Sequence, residues 1–554
     1  MFKKLLLCAA LCAVNSTVYA DNIALLIGVG KYKNINALEG PTEDVAALKK
    51  VLIDKWGFTT SNIQTLVDSQ ATQKNILNAL QNLEKRSKSG DNVFVYFSGH
   101  GTSAKNTDNN TVTRLLPHTS GAFLPVDFTP PKEGRKLNEQ ELKSSLIVGR
   151  WHLQPILKRL EQDRSVFVVM DSCFSGNGVR SLGKAVIKRQ YDVLTSVADD
   201  TVVEDTNRAE VVELPYPYQN VVFISASSDA EIAADMGSSD AYLTVDGKPH
   251  GAFTNALLQV LEGSEASDTN GDKQISFLEI RDTTERLIRK FKNDEGKQRY
   301  VQTPQILPSA KDSNANIVYR SLFGSKQVAL TSAPKLETMV YVQLQNGLNA
   351  SELGQINGVS TASSSTADFI VAKSGRYYSL QTGAGDSVVK NVAIEVIRER
   401  ITAEVWLKQQ LKLIKPTYGM RLETSKNADL TEGNTFVFNT QVQASSYILL
   451  FYIDVQGRLS VLYPTLPHEL KTVAANTLLS VPSGAADESI VVKAPFGVDT
   501  VVALALPKSF SLDDVKNIQE TYVLNPSIKS LEKIIKAQPT ASWAQLQVRT
   551  YPKH

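Results

Sequence analysis

The sequence has 554 residues, 59 Lys and Arg against 57 Asp and Glu, and only 3 cysteines. Such a length exceeds one ordinary core and calls for several domains, while 42% hydrophobic and 21% charged residues exclude wholesale disorder. A formal charge of +2 supplies no basic excess for tracking phosphates, so no nucleic acid is expected as a partner, and three cysteines exclude a disulfide framework.

The chain opens with MFKKLLLCAALCAVNSTVYA: Lys3 and Lys4, an apolar stretch from Leu5 to Val14, then small residues ending at Ala20. An apolar core of about ten residues is too short to span a bilayer at about 1.5 Å per residue. Residues 1–20 are therefore expected to be a secretory signal peptide, and the protein to be periplasmic or secreted. A short uncut anchor is the alternative. Cys8 and Cys12 each follow leucine, not the small residue that a lipoprotein site requires. Cleavage after Ala20 would remove both, leave Cys173 as the one thiol, and equalise basic and acidic residues. No later apolar run is long enough for a stable membrane span.

From 21 to 315, apolar runs alternate with amphipathic stretches. The runs Ile23–Ile27, Val93–Phe97, Val166–Met170 and Val221–Ile224 are continuous and rich in β-branched and aromatic residues, as in parallel strands covered on both faces. One helix is expected to open at Thr42, with Val45, Leu48 and Leu52 on a face, and another at Thr72, with Ile76, Leu80 and Leu83 in register. The fold class is thus α/β, a mostly parallel sheet flanked by helices. Polar segments at 102–120 and 177–215 follow strands, where open α/β sheets carry functional loops.

Two strand ends carry chemistry: YFSGHG with His100 and DSCFSG with Cys173. A parallel sheet brings both to its carboxyl edge. A thiol with a pKa near ~8.5 is mostly protonated at neutral pH, so a neighbouring imidazole is a sensible activator. A buried structural thiol and a turn histidine are the bland alternative. These motifs resemble the caspase-like cysteine peptidases, nearest the metacaspase and bacterial orthocaspase branch. The resemblance covers about 22–310. It implies Cys173 as nucleophile, His100 as base and then acid, and the amides of Gly101 and Cys173 as oxyanion hole.

The pentapeptide QACRG of apoptotic caspases is absent, and Leu38 falls near where they place an aspartate-reading arginine. The resemblance nominates Asp171, Asp44 and Ser98 as a pocket selecting Arg or Lys, and carboxylates facing a cation suit that task. Asp44 in a first helical turn also simply complements the helix dipole. Arg180, Lys184, Lys188, Arg189 and Arg208 make 177–215 a candidate self-processing segment or a solvated loop.

Residues 268–279 resemble an EF-hand loop, with Asp268, Asn270, Asp272, Gln274, Ser276 and Glu279 as oxygen ligands for calcium. Flanking Phe253–Leu261 and Ile280–Phe291 read as helices. Lys273 departs from the pattern, standing where the sharp turn wants glycine; a capped helix–turn–helix is the alternative. Asp127 is the one match to the separate calcium site of many metacaspases. No cofactor is required by the dyad. The remaining histidines, His118, His152, His250, His468 and His554, lack paired metal spacing and read as ordinary surface or packing residues.

Beyond a boundary near 310–335 the texture becomes mainly β: a small module at 335–392, a connecting helix at 393–414, and a β-rich domain at 415–554. The last resembles an uncharacterised β domain often found behind bacterial caspase-like domains and suggests a sandwich-like module with an unknown ligand. The expectation is an exported cysteine endopeptidase acting on proteins or peptides after Arg or Lys. Its rivals are a non-catalytic envelope scaffold on the same fold and a transpeptidase using the same acyl-enzyme.

Overall fold

A computed structural model describes residues 20–102, 121–131, 139–172, 187–188, 216–227, 231–263, 267–268, 274–291, 299–300, 302–309, 312–323, 338–362, 367–383, 385–425, 429–482 and 489–553. The proposed signal sequence up to Tyr19, Cys173, and all of 177–215 except Ile187 and Lys188 lie outside these residues.

The strands of the first half are β1 (Asn22–Gly28), β2 (Ile63–Val67), β3 (Asn92–Ser98), β4 (Gly101–Thr102), β5 (Ala122–Phe123), β6 (Ile147–Val148), β7 (Ser165–Asp171), β8 (Ile187–Lys188), β9 (Val221–Ser225), β10 (Ala234–Met236), β11 (His250–Gly251) and β12 (Gln305–Leu307). A six-stranded sheet has the order β12-β9-β7-β3-β1-β2, parallel except for antiparallel β12. The four apolar runs form its centre, β1, β3, β7 and β9. Edge strand β2 is mostly half-buried and so lacks a continuous apolar run, which hides it from hydrophobic periodicity.

Side chains alternate between two cores. Leu26, Phe94, Tyr96 and Phe167 face one side, with α1 (Gly40–Lys55) and helices Ala252–Glu262 and Phe277–Arg289. Leu25, Ile27, Val95 and Phe97 face the other, with α2 (Gln73–Arg86) and helix Gln154–Leu160. Thr72 caps α2 as expected, accepting from Asn75 N at 3.3 Å. Helix α1, by contrast, starts before Thr42: Pro41 occupies its first turn, where a missing N–H costs nothing. Thr42 lies inside the helix and donates to Asp68 Oδ2 at 3.2 Å.

The C-terminal half is mostly strands. Strands Val340–Gln345, Val359–Thr361, Phe369–Ser374, Tyr377–Thr382 and Ser387–Val392 form one sheet. Helix Ile394–Leu411 wedges between this sheet and the next. Its Ile397, Ile401 and Val405 pack on Val342, Val371 and Leu380, while Trp406, Leu407 and Leu411 join Leu449, Phe451 and Leu504. Those last three belong to a seven-stranded sheet that includes Ser446–Ile453, Arg458–Tyr463, Val498–Leu506 and Ser542–Tyr551. Its opposite face packs on Met420, Leu422, Phe438 and Val481 of a three-stranded sheet. One face is therefore sandwich-like and the other is covered by helices. Among the described residues no helix is long and apolar enough to cross a membrane.

Candidate active site

Strand β3 ends at Ser98 and delivers His100, only 2% exposed, to the carboxyl edge of the sheet. The turn between them needs glycine. A Cβ on Gly99 would sit 2.8 Å from Tyr32 Oη and 3.1 Å from the Phe97 ring. Tyr32 Oη accepts from His100 N at 2.9 Å and donates to Leu124 O at 3.1 Å, and its ring lies 4.9 Å from the imidazole. His100 Nε2 is 2.8 Å from Asn36 O. A carbonyl only accepts, so Nε2 carries the proton, and the basic lone pair of the neutral ring lies at Nδ1.

Asn36 belongs to the loop after β1, and two carboxylates anchor that loop. Asp68 Oδ1 accepts from Gly30 N and Lys31 N, both at 2.9 Å, and Asp235 Oδ2 accepts from Glu39 N at 2.9 Å. Buried Leu38 is part of the core.

Parallel register pairs Ser98 with Asp171, and Gly99 N still reaches Asp171 O at 3.3 Å. Both motifs therefore leave the sheet side by side. The structure describes DSCFSG through buried Ser172; the Cys173 nucleophile assignment falls on the next residue, outside the described ones. Gly101 opens β4, opposite Phe123 of β5.

The three pocket candidates meet at this edge. Asp44 and Asp171 are completely buried, and Ser98 Oγ donates to Asp44 Oδ2 at 2.7 Å. Asp44 also accepts from Gly251 N at 3.1 Å, and Asp171 Oδ2 accepts from Thr254 N at 3.1 Å and from Thr254 Oγ1. Gly251 caps helix Ala252–Glu262 and Thr254 lies in its first turn. The positive end of one helix thus supports both carboxylates as anions. His250 adds a third donor to Asp44, at 2.9 Å from Nδ1. Expected as an ordinary surface or packing residue, it is buried and reaches Asp44, a pocket candidate, directly. Sequence reading missed Tyr32, Asn36, Asp235, His250 and Thr254, since none lies at a fixed offset from either motif.

Of the candidate calcium ligands, Asn270 and Asp272 lie outside the described residues. Asp268 is buried and Gln274 exposed. Glu279 Oε2 accepts from Ser276 N and Oγ, both at 2.9 Å, while Ser276 Oγ accepts from Glu279 N. That pair closes a capping box on helix Phe277–Arg289, so Glu279 and Ser276 have a structural task of their own. Asp127 accepts from Gln73 N at 2.9 Å, supporting the start of α2.

Comparison with known proteins agrees with this layout. A caspase-domain family model matches residues 21–313, just over half the chain, and a domain of unknown function, DUF4384, matches 429–509. Metacaspase-1 of Plasmodium falciparum is 28% identical over 249 residues, covering 44% of this chain and 34% of that protein. Metacaspase-7 of Arabidopsis thaliana is 44% identical over 166 residues, covering 28% of this chain and 34% of that protein. The chain spans between a third and a half of the length of these and similar relatives. A crystal structure of caspase-1 from Spodoptera frugiperda aligns with 52% of this chain and 86% of its own at 12% identity and a TM-score of 0.29. The match along the α/β half, where the two motifs end adjacent strands, makes this chain a member of the caspase-domain family of peptidases.

Proposed function

We propose that the protein is an exported cysteine endopeptidase that cleaves after Arg or Lys. The observation that carries this reading is the convergence of His100, Asp44, Ser98 and Asp171 at one sheet edge, immediately before Cys173. The Cys173 thiol gives its proton to His100 Nδ1, and the thiolate attacks the scissile carbonyl carbon. Negative charge on that carbonyl oxygen is met by the amides of Gly101 and Cys173. His100 returns the proton to the leaving amine, and a thioester forms. Water, deprotonated by the same Nδ1, then attacks the thioester and frees the carboxylate and the thiol. The Asn36 carbonyl keeps Nδ1 as the basic nitrogen throughout. Two buried carboxylates supply the charge that a basic side chain seeks.

The dyad needs no cofactor. The same reading includes a weak calcium site at 268–279, which Asp268, Asn270, Asp272, Gln274, Ser276 and Glu279 would hold, and a ligand-binding role for the C-terminal strands. Self-cleavage falls in 177–215.

The test is hydrolysis of Arg-, Lys- and Asp-terminated amide substrates by the full chain, with and without calcium, beside Cys173→Ala and His100→Ala. Cleavage of the Arg and Lys substrates that either substitution abolishes is expected. Cleavage after Asp only would refute the acidic pocket. No cleavage together with a thiol inert to alkylation would favour the scaffold instead. N-terminal sequencing of fragments from the wild type and Cys173→Ala checks self-processing; identical fragments would exclude it.

A further inference from the structure

Among the buried titratable groups that this chemistry leaves unused, His250 has the most telling partners. Its side chain has no exposed surface. Nδ1 lies 2.9 Å from Asp44 Oδ1, and Nε2 lies 2.9 Å from Asp246 Oδ1. Ionised carboxylates only accept, so both ring nitrogens donate and the ring is an imidazolium. Burial by itself would pull this pKa down. The hydrogen bonds and charges of Asp44, and then of Asp246, outweigh burial and hold it above the ordinary imidazole value.

The other groups around the ring are compensated. On α1, Glu43 pairs with Lys248 of the 237–249 hairpin at 2.8 Å. In that hairpin Asp240 pairs with Arg299. On β10, Asp235 is occupied by the Glu39 and Gly40 amides. Asn255, on the following helix, accepts from Val245 N at 2.9 Å. Asp171 stands on the neighbouring Thr254, and Ser98 of β3 completes the surroundings of Asp44. Among the described residues, His250 is thus a cation in direct contact with Asp44.

We propose that His250 is a positioning residue that fixes the Asp44 carboxylate and sets its net charge, so that the pocket attracts a guanidinium or ammonium more strongly once His250 loses its proton. This rests on the reading of Asp44 as a pocket acid. With the ring charged, Asp44, His250 and Asp246 carry one net negative charge between them; with it neutral, two. The proton leaves Nε2. Asp44 is wholly buried and keeps its Nδ1–H donor, whereas the Asp246 side chain is 37% exposed and turns to water. Linkage is reciprocal, so a bound cationic side chain lowers the pKa of His250.

The test uses the full chain carrying Cys173→Ala, so that binding is read without turnover. Calorimetry follows an Arg-terminated peptide and its norleucine-terminated counterpart between about pH 6 and pH 9, upward from the ordinary imidazole value. The Arg peptide should bind roughly tenfold more tightly at the upper end, as expected for removing one nearby charge behind partial screening. The norleucine peptide should not change. His250→Asn leaves an amide N–H near the place of Nδ1 without the charge. Its affinity for the Arg peptide should be flat with pH and equal to the parent's upper limit. His250→Gln keeps only the Asp246 end and should bind the Arg peptide more weakly than His250→Asn at every pH. NMR of the His250 ring in the parent chain should show its titration move to lower pH when the Arg peptide is bound. An unmoved titration overturns the proposal even if both variants unfold, and so does an affinity that ignores pH in the parent or keeps its pH dependence in His250→Asn. A parent chain that does not prefer Arg to norleucine refutes the pocket itself, a separate result.

Discussion

His100 is held from both ends, by its own amide on Tyr32 Oη and by Nε2 on the Asn36 carbonyl. The tyrosine hydroxyl accepts from one backbone group and donates to another, so it joins the strand end carrying His100, the proposed base, to Leu124. Tyr32→Phe strands a buried N–H and a buried carbonyl. It should lower stability by about 1–3 kcal/mol in urea unfolding and reduce kcat more than it raises KM. A fall in stability with kcat unchanged would show that Tyr32 does not aim the base. The motif SGHG made His100 legible in the sequence, and the glycine before it has a steric reason in the Tyr32 contact. Tyr32 itself was illegible, because it lies in another loop and meets His100 only after folding.

Elements add the charge pattern. Asp44 and Asp171, the proposed pocket carboxylates, both lean on the first turn of helix Ala252–Glu262, although they come from α1 and β7. Thr254 also joins Tyr96 Oη at 2.6 Å, so its hydroxyl links that turn to β3. Thr254→Val keeps the backbone donor but removes the hydroxyl from Asp171 and Tyr96. It should cost about 1–3 kcal/mol in urea unfolding and weaken Arg-substrate binding while leaving an uncharged analogue unaffected. A second electrostatic junction lies in the C-terminal half. Desolvation, helped by Asp454, lifts the Asp499 carboxyl to about 7, against the opposing pull of Arg400. A folded-state pKa above the unfolded one stabilises the protein at low pH, and this contribution is lost as pH rises from about 4 through about 7. Asp499→Asn should flatten that part of the stability profile, read as the urea midpoint against pH. An unchanged slope would mean that Asp499 is not the group responsible.

Across the whole molecule, the two halves meet along helix Phe277–Arg289 and its neighbours. Arg421 Nη1 donates to Pro308 O at 3.0 Å, and Tyr319 Oη donates to Gln441 O at 3.1 Å. Gly419 lets the chains approach this closely: a Cβ there would be 2.5 Å from Tyr319 Cδ1. Burial alone would raise Glu285, but Arg289, Arg281 and Arg549 of the last strand hold it below the ordinary carboxylate value. Gly419→Val should therefore push Tyr319 aside and uncouple the halves, splitting one calorimetric unfolding transition into two. A single unshifted transition would show that this contact does not join them. Much of the architecture was readable beforehand: the four central strands, the apolar face of α2, and the connecting helix, expected over 393–414 and found at Ile394–Leu411. Edge strand β2 and the true start of α1 were not, because a half-exposed strand lacks a continuous apolar run and Pro41 reads as a breaker until its place in the first turn is known.

By itself the sequence determined the class of sheet and the two motif-bearing strand ends, while the short roster of acids came from the resemblance those motifs carry. The first two are written locally, as an apolar run or a glycine-flanked turn. Only the tertiary structure decided that His100 leans on the Asn36 carbonyl and that Asp44 answers to His250. Those contacts join segments that share no spacing rule, and they exist because a parallel sheet gathers loops from distant parts of the chain at one edge. The histidine that read as an ordinary surface or packing residue is buried, and the two carboxylates against it hold its pKa up in spite of that burial.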